Sequence, residues 1–314
     1  MKTGALIVPT GIGASIGGFA GDASIWARKL AKHCRLIVNP NVVNAACFSG
    51  ITDNMLYVEG YSLDEFFKGK CKLQPSCENK VGIIFDKAIK QEVLNVHINT
   101  INAVKTVYGI DICGYEITQE DTGVEFFVDN SGVSMGNVKN LETIKDAACK
   151  LIQNGAEAIA IVCRFPDEQG DDYANGIGVD PVGGVEAIIS HYISKELKIP
   201  CAHAPAFDDI TISTDIVDSR CSAEYITPTF LPCILIGLSQ APKLSQTEGI
   251  GIDDTDFLVV PYNALGGIPV LEMIKRNKTV YAIKENKSVL DVTPDKLGIN
   301  CIVLESYKEL IEQI

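Results

Sequence analysis

Short apolar runs that end in proline and glycine occur three times along the chain. Near the start, the apolar run 5–8 is followed by Pro9 and by a glycine-rich stretch up to Gly18. Runs of this length that are bounded by turn residues are typical of buried strands. A helical pattern follows, and then a second apolar run at 36–38. This order of strand, glycine loop, helix and strand predicts a βαβ unit.

The same order of elements returns in the middle of the chain and near its end. The run 158–162 leads through an acidic loop to Gly183-Gly184, a helical pattern and the run 199–202. The run 257–260 leads to Gly266-Gly267, a helical pattern and the run 279–283. The irregular spacing of the three copies excludes a solenoid. We expect the three glycine loops to meet at one edge of a sheet.

Further apolar runs extend this pattern over most of the chain. They predict strands at 81–85, 110–118, 124–128 and 233–238, with helices around 92–108 and 141–153. We therefore predict an α/β protein with mostly parallel sheets flanked by helices. The length of 314 residues allows two domains. We predict two Rossmann-like lobes, 1–155 and 156–314, with a cleft at the carboxyl ends of their strands.

The glycine loops predict a small anionic ligand that is phosphorylated, carboxylated or nucleotide-linked. Glycine lets the backbone approach a ligand closely, and free N–H groups at a helix start attract anions. The alternative is that the glycines only permit tight turns. The residues that we expect to bind the ligand lie in these loops and at other strand ends: Thr10, Gly11, Gly13, Gly17, Gly18, Asn41, Glu59, Arg164, Asp180, Gly183, Gly184, Ser239, Asn263, Gly266, Gly267 and Asn286.

One histidine is the best candidate for acid–base chemistry. His203 follows the predicted strand 199–202, whereas the other three histidines fall inside predicted helices. We take Asp167 and Asp22 as its catalytic partners. The carboxylates of the acidic loop 163–184 could bind Mg²⁺ or balance the charge of Arg164, whereas for Asp180 a cap on the next helix is the favoured role. No HxH or HExxH pattern predicts a protein-bound metal.

Composition narrows the classes of partner. A formal net charge of −13 argues against a general surface for nucleic acid or for anionic membranes. No stretch reaches the roughly 18 apolar residues of a membrane span. The eleven cysteines are scattered without a CxxC pair, and the N-terminal apolar run is too short for a secretory signal. We therefore predict a cytoplasmic protein, and the sequence leaves open a homo-oligomer.

Six segments spread over nearly the whole chain carry a family resemblance. They are VPTGIGASIGGFAGDA, NPNVVNAA, YVEGY, IPCAHAPA, FLPCILIGLS and VVPYNALGG. Together they resemble the family called domain of unknown function 3326. The resemblance implies a stand-alone bacterial or archaeal cytoplasmic protein and brings no assigned activity.

Two local resemblances suggest chemistry. The segment 256–286 is similar to the nucleotide-sugar half of two-domain glycosyltransferases and epimerases, with Glu272 at the nucleotide and Ala264 where a second Glu is expected. Cys163 is similarly placed to a catalytic thiol of aspartate/glutamate racemases, although the matching second position near Ser239 holds no cysteine. Three functions stay open: an enzyme acting on a small anionic metabolite, a racemase or isomerase, and a non-catalytic small-molecule-binding protein.

Overall fold

The computed structural model of the protein describes residues 1–76, 78–167 and 172–314, and strands and helices alternate along them. The strands are β1 (Thr3–Leu6), β2 (Arg35–Val38), β3 (Asn44–Ala45), β4 (Phe48–Ser49), β5 (Met55–Tyr57), β6 (Lys72–Gln74), β7 (Val81–Phe85), β8 (Ile112–Ile117), β9 (Val124–Val128), β10 (Ser134–Val138), β11 (Ala158–Arg164), β12 (Cys201–Ala206), β13 (Lys243–Ser245), β14 (Phe257–Pro261), β15 (Thr279–Ile283) and β16 (Ile302–Leu304). The α-helices are α1 (Ser24–Leu30), α2 (Pro40–Val43), α3 (Gly60–Phe67), α4 (Gln91–Tyr108), α5 (Leu141–Gln153), α6 (Gly183–Leu197), α7 (Ser222–Tyr225), α8 (Leu231–Ser239), α9 (Ile268–Lys275), α10 (Pro294–Leu297) and α11 (Tyr307–Gln313).

The larger sheet is parallel throughout its described strands, in the order β16-β15-β14-β1-β2-β5. Numbered by their own sequence order, its strands run 3-2-1-4-5-6 from β5 to β16, which is the order of doubly wound dinucleotide-binding folds. The chain order reverses between β1 and β14. In such sheets, the loops that follow these two strands open a crevice beyond their carboxyl ends.

The smaller sheet is also parallel, in the order β12-β11-β7-β8. Its strands run 2-1-3-4 from β8, which is the other common doubly wound order, and its reversal lies between β7 and β11. Helices α5 and α6 pack on one face, and α4 and α8 pack on the other. The predicted fold class, mostly parallel sheets flanked by helices, is confirmed.

Each sheet combines strands from both sides of residue 155, so the sheets do not follow the predicted division of the chain there. The smaller sheet lies within the chain between β5 and β14 of the larger one. The two segments that join the sheets contain β6 and β13, which pair antiparallel as a short ribbon, Lys72 opposite Ser245 and Gln74 opposite Lys243. Long-range strand pairing, which no local pattern encodes, decides this arrangement.

The run 233–238 was predicted as a strand, and this prediction is wrong. It belongs to helix α8, in which every residue is buried. The helix contacts α2, β3 and β4, which lie in the chain between β2 and β5 of the larger sheet. It also contacts β7, β11 and β12 of the smaller sheet and helix α4, which packs on that sheet. A helix that is buried on all sides is apolar on all sides, so periodicity does not distinguish it from a buried strand. Helix α8 therefore forms a shared core between the two sheets.

No helix of the described ranges is long and apolar enough to cross a bilayer. The acidic loop predicted at 163–184 is described at its two ends, and its residues 168–171 lie outside the described residues.

Candidate functional site

The carboxyl ends of both sheets face a cleft, which we call the interlobe cleft. It consists of two cavities of about 610 Å³ and 380 Å³, a size typical of small-molecule sites. Loops after β1, β2 and β5 contribute from the larger sheet, and α6 and β12 contribute from the smaller one. The two cavities share a wall formed by six residues: Tyr173, Asp180, Pro205, Glu186, Glu224 and Phe230.

Glu186 is the most unusual side chain in this wall. It lies in the first turn of α6, where the residue is only 7% exposed. Its Oε1 atom is buried and has no hydrogen-bond partner among the described residues. Buried carboxyl oxygens are almost always hydrogen-bonded, so an orphaned one in a cavity wall indicates a missing partner. Burial, followed by the neighbouring charges of Asp180 and Glu224, raises the pKa of Glu186 well above its ordinary value.

His203 stands beside Glu186 on strand β12. Its Nε2 lies 3.6 Å from Glu186 Oε2, and its Nδ1 lies 2.9 Å from the hydroxyl of Ser190 on α6. Burial, and then the nearby charge of His191, lowers the pKa of His203 to about 3. Burial thus favours the neutral form of each member of the Glu186–His203 pair. A neutral carboxyl beside a neutral imidazole has one group able to give a proton and one able to accept it.

Strand β12 begins and ends later than predicted. The run 199–202 was expected to end before His203, whereas β12 continues to Ala206. His203 therefore lies within the strand, opposite Ile161 of β11, and reaches the cleft from the sheet surface.

Asp180 and Glu224 flank Glu186 in the same wall. Asp180 precedes α6 and accepts a hydrogen bond from the backbone N–H of Val182. Glu224 accepts one from the hydroxyl of Tyr173, at 2.8 Å. Burial is the largest cause that raises the pKa of Asp180 to about 6 and that of Glu224 to about 8, and the charge of Asp180 adds to the second. Three carboxyl groups in one water-poor wall thus favour protonation.

Sequence reasoning did not single out Glu186 or Glu224. A signal for Glu186 was present, because it falls on the same helical face as Val182, Ile189 and Ile193, which are apolar and buried. A charged residue within such a stripe indicates a buried polar group. Glu224 has no comparable signal, since it lies in a short helix within a poorly periodic segment.

The glycine loops do converge, but mainly against one another. Gly11 accepts a bond from Ser134 through its carbonyl, and the N–H of Gly184 donates to the same serine's hydroxyl. A side chain at Gly184 would come within 2.1 Å of the Ser134 carbonyl oxygen. Only Gly18 and Gly267, of the eight predicted glycines, line the interlobe cleft.

The remaining glycines have packing roles or lie away from the cleft. Gly183 packs against Thr10, and Gly17 has a positive φ of 88° against Val8. Gly13 faces Gly178 and Val289, and Gly266 faces Val292. Close approach of backbone to backbone thus explains most of these glycines without a ligand.

Three of the predicted polar residues line the smaller cavity besides Asp180 and His203. Thr10 follows β1, and Asn41 donates from its amide to the carbonyls of Val8 and Gly17, which holds the first glycine loop. Glu59 caps α3 by accepting bonds from the N–H groups of Tyr61 and Ser62.

Asp167 and Asp22 were predicted as catalytic, and both have backbone partners. Asp167 lines the larger cavity, where its Oδ1 accepts bonds from the N–H groups of Asp208 and Asp209. Asp22 accepts a 2.6 Å bond from Gly17 N–H and lines a separate cavity beside Arg220. Burial raises the pKa of Asp22 to about 6.

Besides the glycines, four predicted binding residues lie outside the linings of the two cavities. Arg164 pairs with Asp208 at 2.8 Å, and Ser239 ends helix α8 with its hydroxyl bonded to the carbonyl of Ile236. Asn263 donates to the carbonyls of Ser288 and Leu290. Asn286, which is fully buried, is bonded to the backbone of Ile16 and to the hydroxyl of Tyr307. These side chains hold loops in place, since their polar atoms are occupied by the protein.

The residues behind the two local resemblances are also occupied elsewhere. Cys163 is buried in β11, where burial raises the pKa of its thiol well above the ordinary value, so no thiolate is available as a base. Glu272 pairs with Lys275 and Arg276 along α9. Within the described ranges, no three His, Cys, Asp or Glu side chains are grouped so as to hold a metal ion.

Comparison with known proteins adds a family and a relative. A family model described as protein of unknown function (DUF3326) matches residues 3–314. A Synechococcus protein named as an uncharacterised lipoprotein is 40% identical over 319 aligned residues, which cover 98% of this chain and 89% of that protein. No solved structure matches the chain.

Proposed function

The chain belongs to the DUF3326 protein family, and from the interlobe cleft we propose that it is an enzyme that transfers a proton to or from a small metabolite. The observation that carries this proposal is that Glu186 lines the cleft and that its buried Oε1 atom has no partner among the described residues.

Glu186 is the group that exchanges a proton with the substrate. Burial raises its pKa and so favours the protonated form, which is the form that acts as a general acid. His203 lies behind it at 3.6 Å, and the Ser190 hydroxyl fixes the imidazole orientation through Nδ1. When Glu186 loses its proton, the carboxylate that forms lies 3.6 Å from the Nε2 atom of a neutral His203, so a small shift brings the two groups to hydrogen-bond distance.

The position of the pair supports this role. Glu186 lies beyond the carboxyl end of β11, where doubly wound folds bind their ligands, and His203 reaches the same cavity wall from within β12. Burial raises the pKa of Glu186 and lowers the pKa of His203, and such opposite shifts in neighbouring groups are usual at acid–base sites.

The test is a search for chemistry followed by matched variants. Pools of small metabolites are incubated with the protein in deuterated buffer, and proton NMR detects product formation or loss of signal by exchange. The compound that reacts is then assayed with Glu186→Gln and with Glu196→Gln, a control that makes the same change at an exposed position of α6. We expect Glu186→Gln to lower the rate by at least about a hundredfold, since general acid–base catalysis contributes about 10²–10⁴-fold. An unchanged rate in Glu186→Gln excludes the proposal.

A second candidate is a non-catalytic protein that binds a small molecule between its lobes. The paired strands β6 and β13, which lie in the two connecting segments, favour it because such ribbons can bend as a hinge during closure. The relative's name, lipoprotein, favours a protein held at a membrane, whereas the scattered cysteines predict the cytoplasm. A compound that binds in the same NMR experiment, and stays chemically unchanged over long incubation, supports this candidate.

A further inference from the structure

The proposed function leaves the chemical class of the substrate open, and the charges around the cleft narrow it. The described lining contains seven carboxylic acids and two histidines, His191 and His203, but neither lysine nor arginine. The carboxylic acids are Glu59, Asp64, Asp167, Asp180, Glu186, Asp209 and Glu224. A charge pattern of one sign attracts the opposite sign and repels its own.

Resting on the proposed function, we propose that the substrate is a small organic cation whose ammonium nitrogen is held by Glu186, with Asp180 and Glu224 beside it in the same wall. An ammonium group supplies the hydrogen-bond donor that the buried Oε1 atom of Glu186 lacks. Its positive charge also offsets the negative charge of each carboxyl group in this wall that is ionised.

Aromatic side chains in the larger cavity fit the same ligand class. Tyr173, Phe207, Tyr225 and Phe230 line it, and aromatic faces attract cations within about 6 Å. Aromatic rings beside carboxylates are typical of sites for organic ammonium groups. A bare metal ion fits less well, because the described residues offer no group of three metal-binding side chains.

Cation binding changes the protonation of this wall. Glu224, with a pKa of about 8, is mostly protonated in the free protein at pH 7. A cation beside it favours the carboxylate, so the proton leaves for the solvent. Binding of an ammonium compound at pH 7 therefore releases up to about one proton per protein.

The experiment compares cations with uncharged molecules of the same shape. Methylammonium, tetramethylammonium and 1,4-diaminobutane are tested against methanol, tert-butanol and 1,4-butanediol by ligand-observed NMR. A pH indicator measures proton release for any compound that binds. Inorganic phosphate and MgCl₂ are included, since the glycine loops predict an anion and the acidic loop favours Mg²⁺. We expect at least one ammonium compound to bind and release a proton, and the alcohols not to bind.

Glu224→Gln and Asp180→Asn should each weaken cation binding by about tenfold or more, because each removes a buried charged partner, and Glu224→Gln should lower proton release. Glu224→Gln resembles the protonated side chain of the free protein at pH 7, so we expect it to fold. Glu196→Gln is the control. The inference is overturned if no ammonium compound binds better than its alcohol, if phosphate or Mg²⁺ binds instead, or if both variants bind cations as the wild type does.

The two proposals fail separately. If a cation binds but no compound in the metabolite pools is turned over, this inference is supported and the proposed enzyme activity is contradicted. If the protein turns over an uncharged or anionic compound in a reaction that depends on Glu186, this inference is contradicted and the proposed enzyme activity is supported.

Discussion

The imidazole Nε2 of His203 lies 3.6 Å from the carboxyl Oε2 of Glu186, although one residue belongs to strand β12 and the other to helix α6. The right-handed crossover from β11 through α6 to β12 lays the helix over the strand. The start of the helix and the middle of the strand therefore meet at one place in the cleft wall. Both groups are deprived of water there, which raises the pKa of Glu186 and lowers that of His203 and so favours the neutral form of each.

The first prediction concerns stability in acid. The pKa of His203 is about 3 in the folded protein and about 6.5 in an unfolded chain, so the unfolded state binds the proton first as the pH falls. The stability that neutral His203 contributes is present above pH 6.5 and is lost as the pH falls towards 3. Between pH 7 and pH 4, the thermal unfolding midpoint of His203→Asn should fall by fewer degrees than the midpoint of the wild type does. The exposed His33→Asn should follow the wild type, and parallel profiles of all three proteins contradict the assignment.

The second prediction concerns stability in base. The pKa of Glu224 is about 8 when folded and about 4.5 when unfolded, so the folded protein holds this proton more tightly. Its stabilising contribution is complete below pH 4.5 and is lost as the pH rises through 8, at about 1.4 kcal/mol per tenfold change in proton affinity. The pKa of Asp180 is raised to about 6, so this residue contributes less stability, and its contribution is lost at a lower pH than that of Glu224. We expect Glu224→Gln to flatten the decline of the unfolding midpoint from pH 5 to pH 9, and Glu196→Gln to leave it unchanged.

The third prediction separates packing glycines from open ones. A methyl group at Gly184 would meet the carbonyl oxygen of Ser134 at 2.1 Å, so either the loop or α6 must move. We expect Gly184→Ala to lower the free energy of unfolding by about 1–3 kcal/mol, as overpacked sites do. At Gly266, the nearest atom to an added methyl is 3.4 Å away, and Gly266→Ala should be nearly neutral. Equal stability of the two variants in urea titrations argues against the observed loop contact.

The fourth prediction concerns the loop after β1. The buried amide of Asn286 makes three hydrogen bonds, two to the backbone of Ile16 and one to the hydroxyl of Tyr307. Asn286→Ala leaves these partners unsatisfied, at about 1–3 kcal/mol for each buried group that no water reaches. We expect a loss of about 2 kcal/mol or more in urea unfolding. Asn102→Ala, at an exposed position of α4, should keep or raise the stability. A small effect at Asn286 means that the loop is held by other contacts.

Local sequence patterns predicted most of the elements correctly, because the chain's apolar runs match strands buried on both faces. The three βαβ units at 3–38, 158–206 and 257–283 all form, with ends shifted by a few residues. Helix α8 was predicted as a strand, since complete burial removes the polar face that reveals a helical period. The glycine pairs lie between a strand and the following helix, or at the start of that helix, as the sequence predicted. The sequence does not show whether backbone or a ligand approaches them.

The sequence by itself determined the α/β class, the parallel sheets and the placement of glycine loops at strand ends, because these depend on neighbours along the chain. Only the tertiary structure decided the strand orders, the insertion of the smaller sheet between β5 and β14, and the meeting of Glu186 with His203 and Glu224. Those features depend on which distant segments pair and on which side chains then lose water. Burial sets the proton affinity of a carboxyl group, and burial is a property of the fold as a whole.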